Sequence, residues 1–169
     1  MRVLTVLLLT CSVATLAQHS AKAPQFNDYP SLHIYHGKPA PPILSKDQRT
    51  FRTQIREGAN APVEFGGHYT IPRWGCGSGC SGFAIVDSIS GRVYDAPFAI
   101  SELPGAWLDD NKVEPPERME FRPDSRLLKL NGCANERECG FYDFVIEDGK
   151  GLVFIRKELL AKKYQPKWR

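Results

Sequence analysis

From Gly66 onward, apolar and polar positions alternate with a period of two, as in strands with one face buried. Tyr69 and Ile71 begin a strand that ends near Trp74, and Pro72 marks it as an edge or a bulge. Phe83-Ala84-Ile85-Val86 reads as a buried strand, turned by Ser90-Gly91 into Arg92-Val93-Tyr94. Pro97 to Leu103 supplies another. Met119–Phe121 and Leu127–Leu130 pair across Pro123-Asp124-Ser125. Tyr142–Ile146 and Leu152–Ile155 form the clearest hairpin, joined around Asp148-Gly149. Leu103 to Glu117, with Pro104, Gly105, Pro115 and Pro116, reads as a long polar loop, and Lys157 to Lys163 as a helical turn. About seven short strands at regular spacing predict a mainly β (α+β) fold, an antiparallel meander forming a small sandwich or barrel.

Before Gly66 the pattern changes. Residues 18–44 hold five prolines and no sustained period, so they read as an extended lead-in. Ser45-Lys46-Asp47-Gln48 is a capping box, in which Ser45 bonds a first-turn amide and Gln48 reaches back. It predicts one short N-terminal helix from Lys46 to Glu57, ended by Gly58. The helix has a thin apolar face, chiefly Phe51 and Ile55. The single β-rich domain is assigned to residues 45–169.

Residues 1–17 read as a signal peptide. Arg2 precedes an apolar run from Val3 to Leu9 that continues to Ala17, too short to span a bilayer and followed by polar residues. Cleavage after Thr15-Leu16-Ala17 leaves Gln18 first. Ala21-Lys22-Ala23 also fits the small-x-small rule, but Pro24 disfavours it. Two other readings of this end stay open: a buried N-terminal helix, and a lipidated Cys11. No later segment is apolar enough to form a transmembrane segment. The expected location is periplasmic or secreted, and about 150 residues remain, enough for one domain with a real core.

Charge adds little. The formal net charge is +3 and well mixed, which argues against a dedicated nucleic-acid binder. The one cluster is the tail, Lys162 to Arg169. It is either a solvated end or a weak contact for anionic lipid or cell-wall polymer.

Cysteine usage agrees with export. Without Cys11, four cysteines remain: Cys76, Cys80, Cys133 and Cys139. An even count in an oxidising compartment reads as two disulfides. Turn formers surround Cys76 and Cys80, and likewise Cys133 and Cys139, which favours pairing within each couple. Cross pairing stays open. A four-cysteine zinc site competes weakly, because the spacings C-x3-C and C-x5-C differ from C-x2-C. No metal and no cofactor is expected.

The densest segment runs from Gly66 to Gly82. Gly75, Gly77, Gly79 and Gly82 permit left-handed backbone and a nest of amides that could hold an anion. Arg73 and Trp74 stand at its entrance and are the residue types most enriched at binding hot spots. Arg73, Trp74, Gly77, Ser78 and Gly79 are therefore the expected binding surface; the alternative is a braced turn and nothing more. For catalysis, His68 is the natural general base and Ser78 the foremost nucleophile, with Ser81 and Cys80 behind it. No G-x-S-x-G elbow surrounds either serine. Asp109, Asp110 and the carboxylates from Glu114 to Glu120 lie in the expected loop, where sequence cannot pair them as a glycosidase requires. A thiol redox role is disfavoured by the C-x3-C spacing.

Gly67-His68-Tyr69, Trp74-Gly75-Cys76-Gly77-Ser78-Gly79-Cys80, Ala84-Ile85-Val86-Asp87 and Gly91-Arg92-Val93-Tyr94 together resemble a pattern in small exported bacterial proteins of unknown function. Phe121 to Leu128 and Glu138 to Tyr142 belong to the same resemblance. It implies a bacterial source and a periplasmic location, and carries over no activity. The expected function is an exported non-enzymatic binding protein, such as an inhibitor or immunity protein of the cell envelope. Its partner would be an envelope protein, a glycan or a small anion. The alternative is an envelope hydrolase using His68.

Overall fold

The structure, a computed structural model, describes residues 22–167. The expected signal peptide and Cys11 lie outside the described residues. Among those described, nine strands form one antiparallel sheet: β1 (Tyr69–Thr70), β2 (Arg73–Gly77), β3 (Cys80–Asp87), β4 (Val93–Asp95), β5 (Ile100–Ser101), β6 (Met119–Arg122), β7 (Ser125–Ala134), β8 (Glu138–Glu147) and β9 (Gly151–Leu159). The order is β1-β3-β5-β7-β8-β9, with β2 and β4 also on β3 and β6 on β7. The mainly β expectation holds, as one continuous sheet.

Alternation along the strands gives the sheet two apolar faces. Tyr69, Phe83, Ile85, Ile100, Leu128, Leu130, Tyr142, Phe144 and Ile146 share one core with Phe65 and Ile71. The opposite face is covered in two places. Helix α1 (Arg52–Ala59) lays Ile55 and Ala59 on Ala84 and Val86, with Trp74 and Phe51 beside them. Helix α2 (Gly105–Asn111) and the C-terminal segment bring Trp107, Leu160 and Tyr164 onto Cys133, Cys139 and Phe141.

Several boundaries move from their expected places. The Ser45–Gln48 box forms, with the Gln48 amide donating to Ser45 Oγ at 3.3 Å and the Ser45 amide to Gln48 Oε1 at 2.9 Å. A 3-10 turn, Asp47–Phe51, then leads into α1. The helix runs past Gly58, which serves close packing instead: a Cβ there would stand 2.8 Å from the Pro72 ring. Pro72 does split the first expected strand, yet its carbonyl still accepts from the Ala84 amide, so β1 and β2 both stay on β3. The expected strand from Pro97 to Leu103 shrinks to β5. The expected polar loop contains α2, a seven-residue helix too short to show a period, closed by Lys112 at φ 52°. The expected helical turn from Lys157 is largely strand: β9 runs to Leu159, and only Lys162–Tyr164 make a 3-10 turn.

From Phe26 to Ile43 the lead-in is bound to the rest of the domain. The Ser31 amide donates to the Asp124 carbonyl, Arg126 to Tyr29, Tyr35 to Gly67, Ala40 to Ser88 and Ile43 to Gly91. Ser125 Oγ, itself buried, donates to the Phe26 carbonyl at 2.7 Å.

Candidate functional site: a cleft beside a braced hairpin

Two disulfides close short loops, Cys76–Cys80 and Cys133–Cys139, so the four thiolates a zinc site would need are consumed. Cys76–Cys80 braces the turn between β2 and β3, where Gly77 pairs with Cys80 and Gly79 takes φ 69°. The expected binding residues are all here, but they do not converge. Arg73 and Trp74 are neighbours on one strand and point to opposite faces. Arg73 pairs with Glu64 at 3.0 Å and lies over the Phe121 ring at 5.2 Å. The same Glu64 carboxylate accepts from the buried Ile71 amide at 2.8 Å, so Arg73 helps to pin a strand end. Gly77, Ser78 and Gly79 form the hairpin tip. Charges of both signs stand behind it: the Glu102 carboxylate lies beside Gly79, and the Gly79 carbonyl accepts from Arg118 Nη1 at 2.7 Å.

Trp74 turns inward to a cleft of about 360 Å³ between α1 and the sheet. Its walls are Phe51, Ile55, Trp74, Phe83, Ala84, Ala96, Phe98 and Ala99, with Cys76 at one rim and Gly82 on the floor. The Trp74 and Phe51 rings stack at 4.3 Å. Polar groups stand at the mouth. Asp47 and Asp95 are exposed, and Gln48 donates from Nε2 to Asp95 Oδ1 at 2.9 Å. Apolar walls with a few placed polar groups are the usual composition of a ligand site. Sequence reasoning singled out Trp74 and missed Phe51, Phe98, Asp47 and Asp95 as its neighbours. They come from two segments that only the fold brings to Trp74.

His68 sits at the far end of β3. The Ser88 amide donates to the His68 carbonyl, which sets His68 abreast of Ser88, while Ser78 precedes Cys80. The eight residues of β3 between them, at roughly 3.3 Å each, place the two on the order of 25 Å apart. His68 and Ser78 therefore cannot act as base and nucleophile. Its actual neighbours are carboxylates: Nε2 lies 3.8 Å from Asp87 Oδ1 and 3.5 Å from Asp148 Oδ1. Tyr69 donates to the same Asp148 oxygen at 2.7 Å, and burial, then that bond, push its phenol well above the usual range. A serine is present at this corner, but Ser90 Oγ donates to Asp87 Oδ2 at 2.5 Å. The carboxylate stands between hydroxyl and imidazole, the wrong order for a base to activate a nucleophile. The corner works as a latch between the β8–β9 turn and β1.

The remaining candidates are placed as follows. Ser81 and Cys80 lie in β3 beside the hairpin tip, and Asp109 and Asp110 lie on α2. Asp110 binds Lys163 at 2.8 Å and the Tyr164 hydroxyl at 2.6 Å, which holds its carboxyl below the usual range and ties Lys163 and Tyr164 to α2. Among the described residues, no group of three His, Cys, Asp or Glu side chains could hold a metal ion, and no helix is long and apolar enough to cross a membrane. Comparison with protein-family models, with curated proteins and with solved structures gives no match.

Proposed function

We propose that this chain is an exported, non-enzymatic binding protein whose ligand enters the cleft between α1 and the sheet. The observation that carries this reading is the make-up of the cleft, aromatic on its walls and carboxylate at its mouth. Apolar walls favour an apolar group by about 25 cal/mol for each Å² removed from water. Asp47 and Asp95 favour a cation beside that group and disfavour a free anion. An envelope protein that presents an apolar side chain next to a lysine or arginine meets both demands, as an inhibitor or immunity protein would require. Export is supported by the Arg2-led apolar run, by the two bridges and by the resemblance of the sequence to a pattern in small exported bacterial proteins. The hydrolase reading lacks support, because His68 faces carboxylates and Ser78 is distant.

The test uses small probes and the nuclear magnetic resonance spectrum of the protein. Benzylamine, an aromatic ring bearing a cation, should shift the Trp74 indole N–H and the methyl groups of Ala96 and Ala99. Benzoate should not. Asp95→Asn should weaken the preference for the amine. If neither probe moves these resonances, or if benzoate moves them more, the cleft is not the site.

A further inference from the structure

The two disulfides stand in different surroundings. Cys133 and Cys139 face each other across β7 and β8 beneath Leu103, Trp107 and Leu160, and Cys139 is fully buried. Cys76 is exposed on β2, a strand that pairs with β3 alone among the described strands. Gly75 and Gly77, on either side of it, have no atom within 4 Å of where a Cβ would stand. Cys76 and the backbone beside it are thus open to a second chain, which could also lie along the free edge of β2. Cys80 is different. It is only 9% exposed and is register partner to Ser101 of β5. The Gly79 carbonyl before it accepts from Arg118 Nη1 and from the Glu102 amide. One cysteine of this bridge is exposed, and the other is anchored in the sheet.

We propose that Cys76–Cys80 is a thiol–disulfide exchange site for a dithiol partner. A thiolate of the partner attacks Sγ of Cys76 and forms a mixed disulfide. The Cys76–Cys80 bond breaks, and its electron pair leaves on Sγ of Cys80, which takes up a proton. The partner's second thiol then attacks its own sulfur in the mixed disulfide and releases Cys76. The partner dithiol is oxidised to a disulfide, and the Cys76–Cys80 bridge is reduced to two thiols. Exchange rates depend on which sulfur is accessible and which leaves, so the exposure of Cys76 assigns the direction of attack. The other bridge has no exposed sulfur to offer and remains intact.

The experiment exposes the native chain, both bridges intact, to dithiothreitol and quenches samples with iodoacetamide over time. Peptide mass spectrometry should find Cys76 and Cys80 alkylated at least about tenfold faster than Cys133 and Cys139. A second arm compares Cys80→Ser, which leaves Cys76 as a thiol, with Cys76→Ser, which leaves Cys80. Their reaction with 5,5′-dithiobis(2-nitrobenzoate) should be faster for Cys76, again by about tenfold. Equal reduction of the two bridges, earlier reduction of Cys133–Cys139, or a Cys80 thiol as reactive as Cys76 overturns the proposal. The first arm uses the unaltered chain and stands even if a variant does not fold.

Discussion

The indole of Trp74 lies directly over Gly82, its register partner on β3: a Cβ at position 82 would stand 2.4 Å from Trp74 Nε1. Gly82 is therefore glycine because a neighbouring ring occupies the space of any side chain. Gly82→Ala must lift the indole and disturb its 4.3 Å stack on Phe51. Overpacking of this kind costs about 1–3 kcal/mol. Urea denaturation should show the midpoint falling with an unchanged slope. In a Trp74→Phe background, whose smaller ring leaves room, the same substitution should cost less. Equal stability of Gly82→Ala and the parent chain would show that the ring moves freely.

Glu64 holds two partners of unequal value. One oxygen accepts from the Ile71 amide, in a buried residue, and the other meets the half-exposed guanidinium of Arg73. Arg73→Ala should cost only about 0–1 kcal/mol, because a solvated ion pair is screened. Glu64→Ala should cost more, about 1–3 kcal/mol, because it orphans a buried donor. Chemical denaturation of the two variants under one condition reads the difference. Equal losses would mean that the ion pair, not the amide bond, is what Glu64 supplies.

Residues with local causes were legible in the chain. The Ser45–Gln48 box needs only a spacing of three and forms as expected. The hairpins at Asp124 and Asp148-Gly149 follow from turn chemistry beside alternating strands. Each couple of cysteines lies within six residues, close enough for turn formers to set the pairing. Non-local features were not legible. The length of β7 and β8 depends on cross-strand partners, which carry them through Cys133 and Cys139 where turn formers suggested a loop. Helix α2 is held by the packing of Trp107 on Phe141 at 5.6 Å, a contact between segments more than thirty residues apart. The divergence of the expected binding residues has a simpler reason. Arg73 and Trp74 are adjacent, and adjacent strand residues face opposite ways. His68 and Ser78 are ten positions apart in sequence, but the chain between them runs out along the hairpin instead of folding back.

Tyr69 and Tyr142 predict how stability responds to alkali. Both phenols are buried in the main core. Burial, as the largest cause, pushes Tyr142 up to about 12, and raises Tyr69 further with help from its bond to Asp148. An unfolded chain releases these protons near pH 10. Between about pH 10 and the folded values, the folded state binds more protons than the unfolded one, so stability falls as pH rises. The contribution of each phenol is complete below about pH 10, and above it declines by at most about 1.4 kcal/mol per pH unit. Tyr69→Phe has no proton to lose. At pH 8 it should be less stable than the parent by about 1 kcal/mol, the worth of the bond to Asp148. Its stability should then fall less steeply than that of the parent from pH 10 to 11.5, so the two curves approach each other. Urea midpoints at half-unit steps from pH 8 to 11.5 provide the measurement. Parallel curves over the whole range would mean that Tyr69 titrates alike in the folded and unfolded chains, and that neither burial nor Asp148 holds its proton.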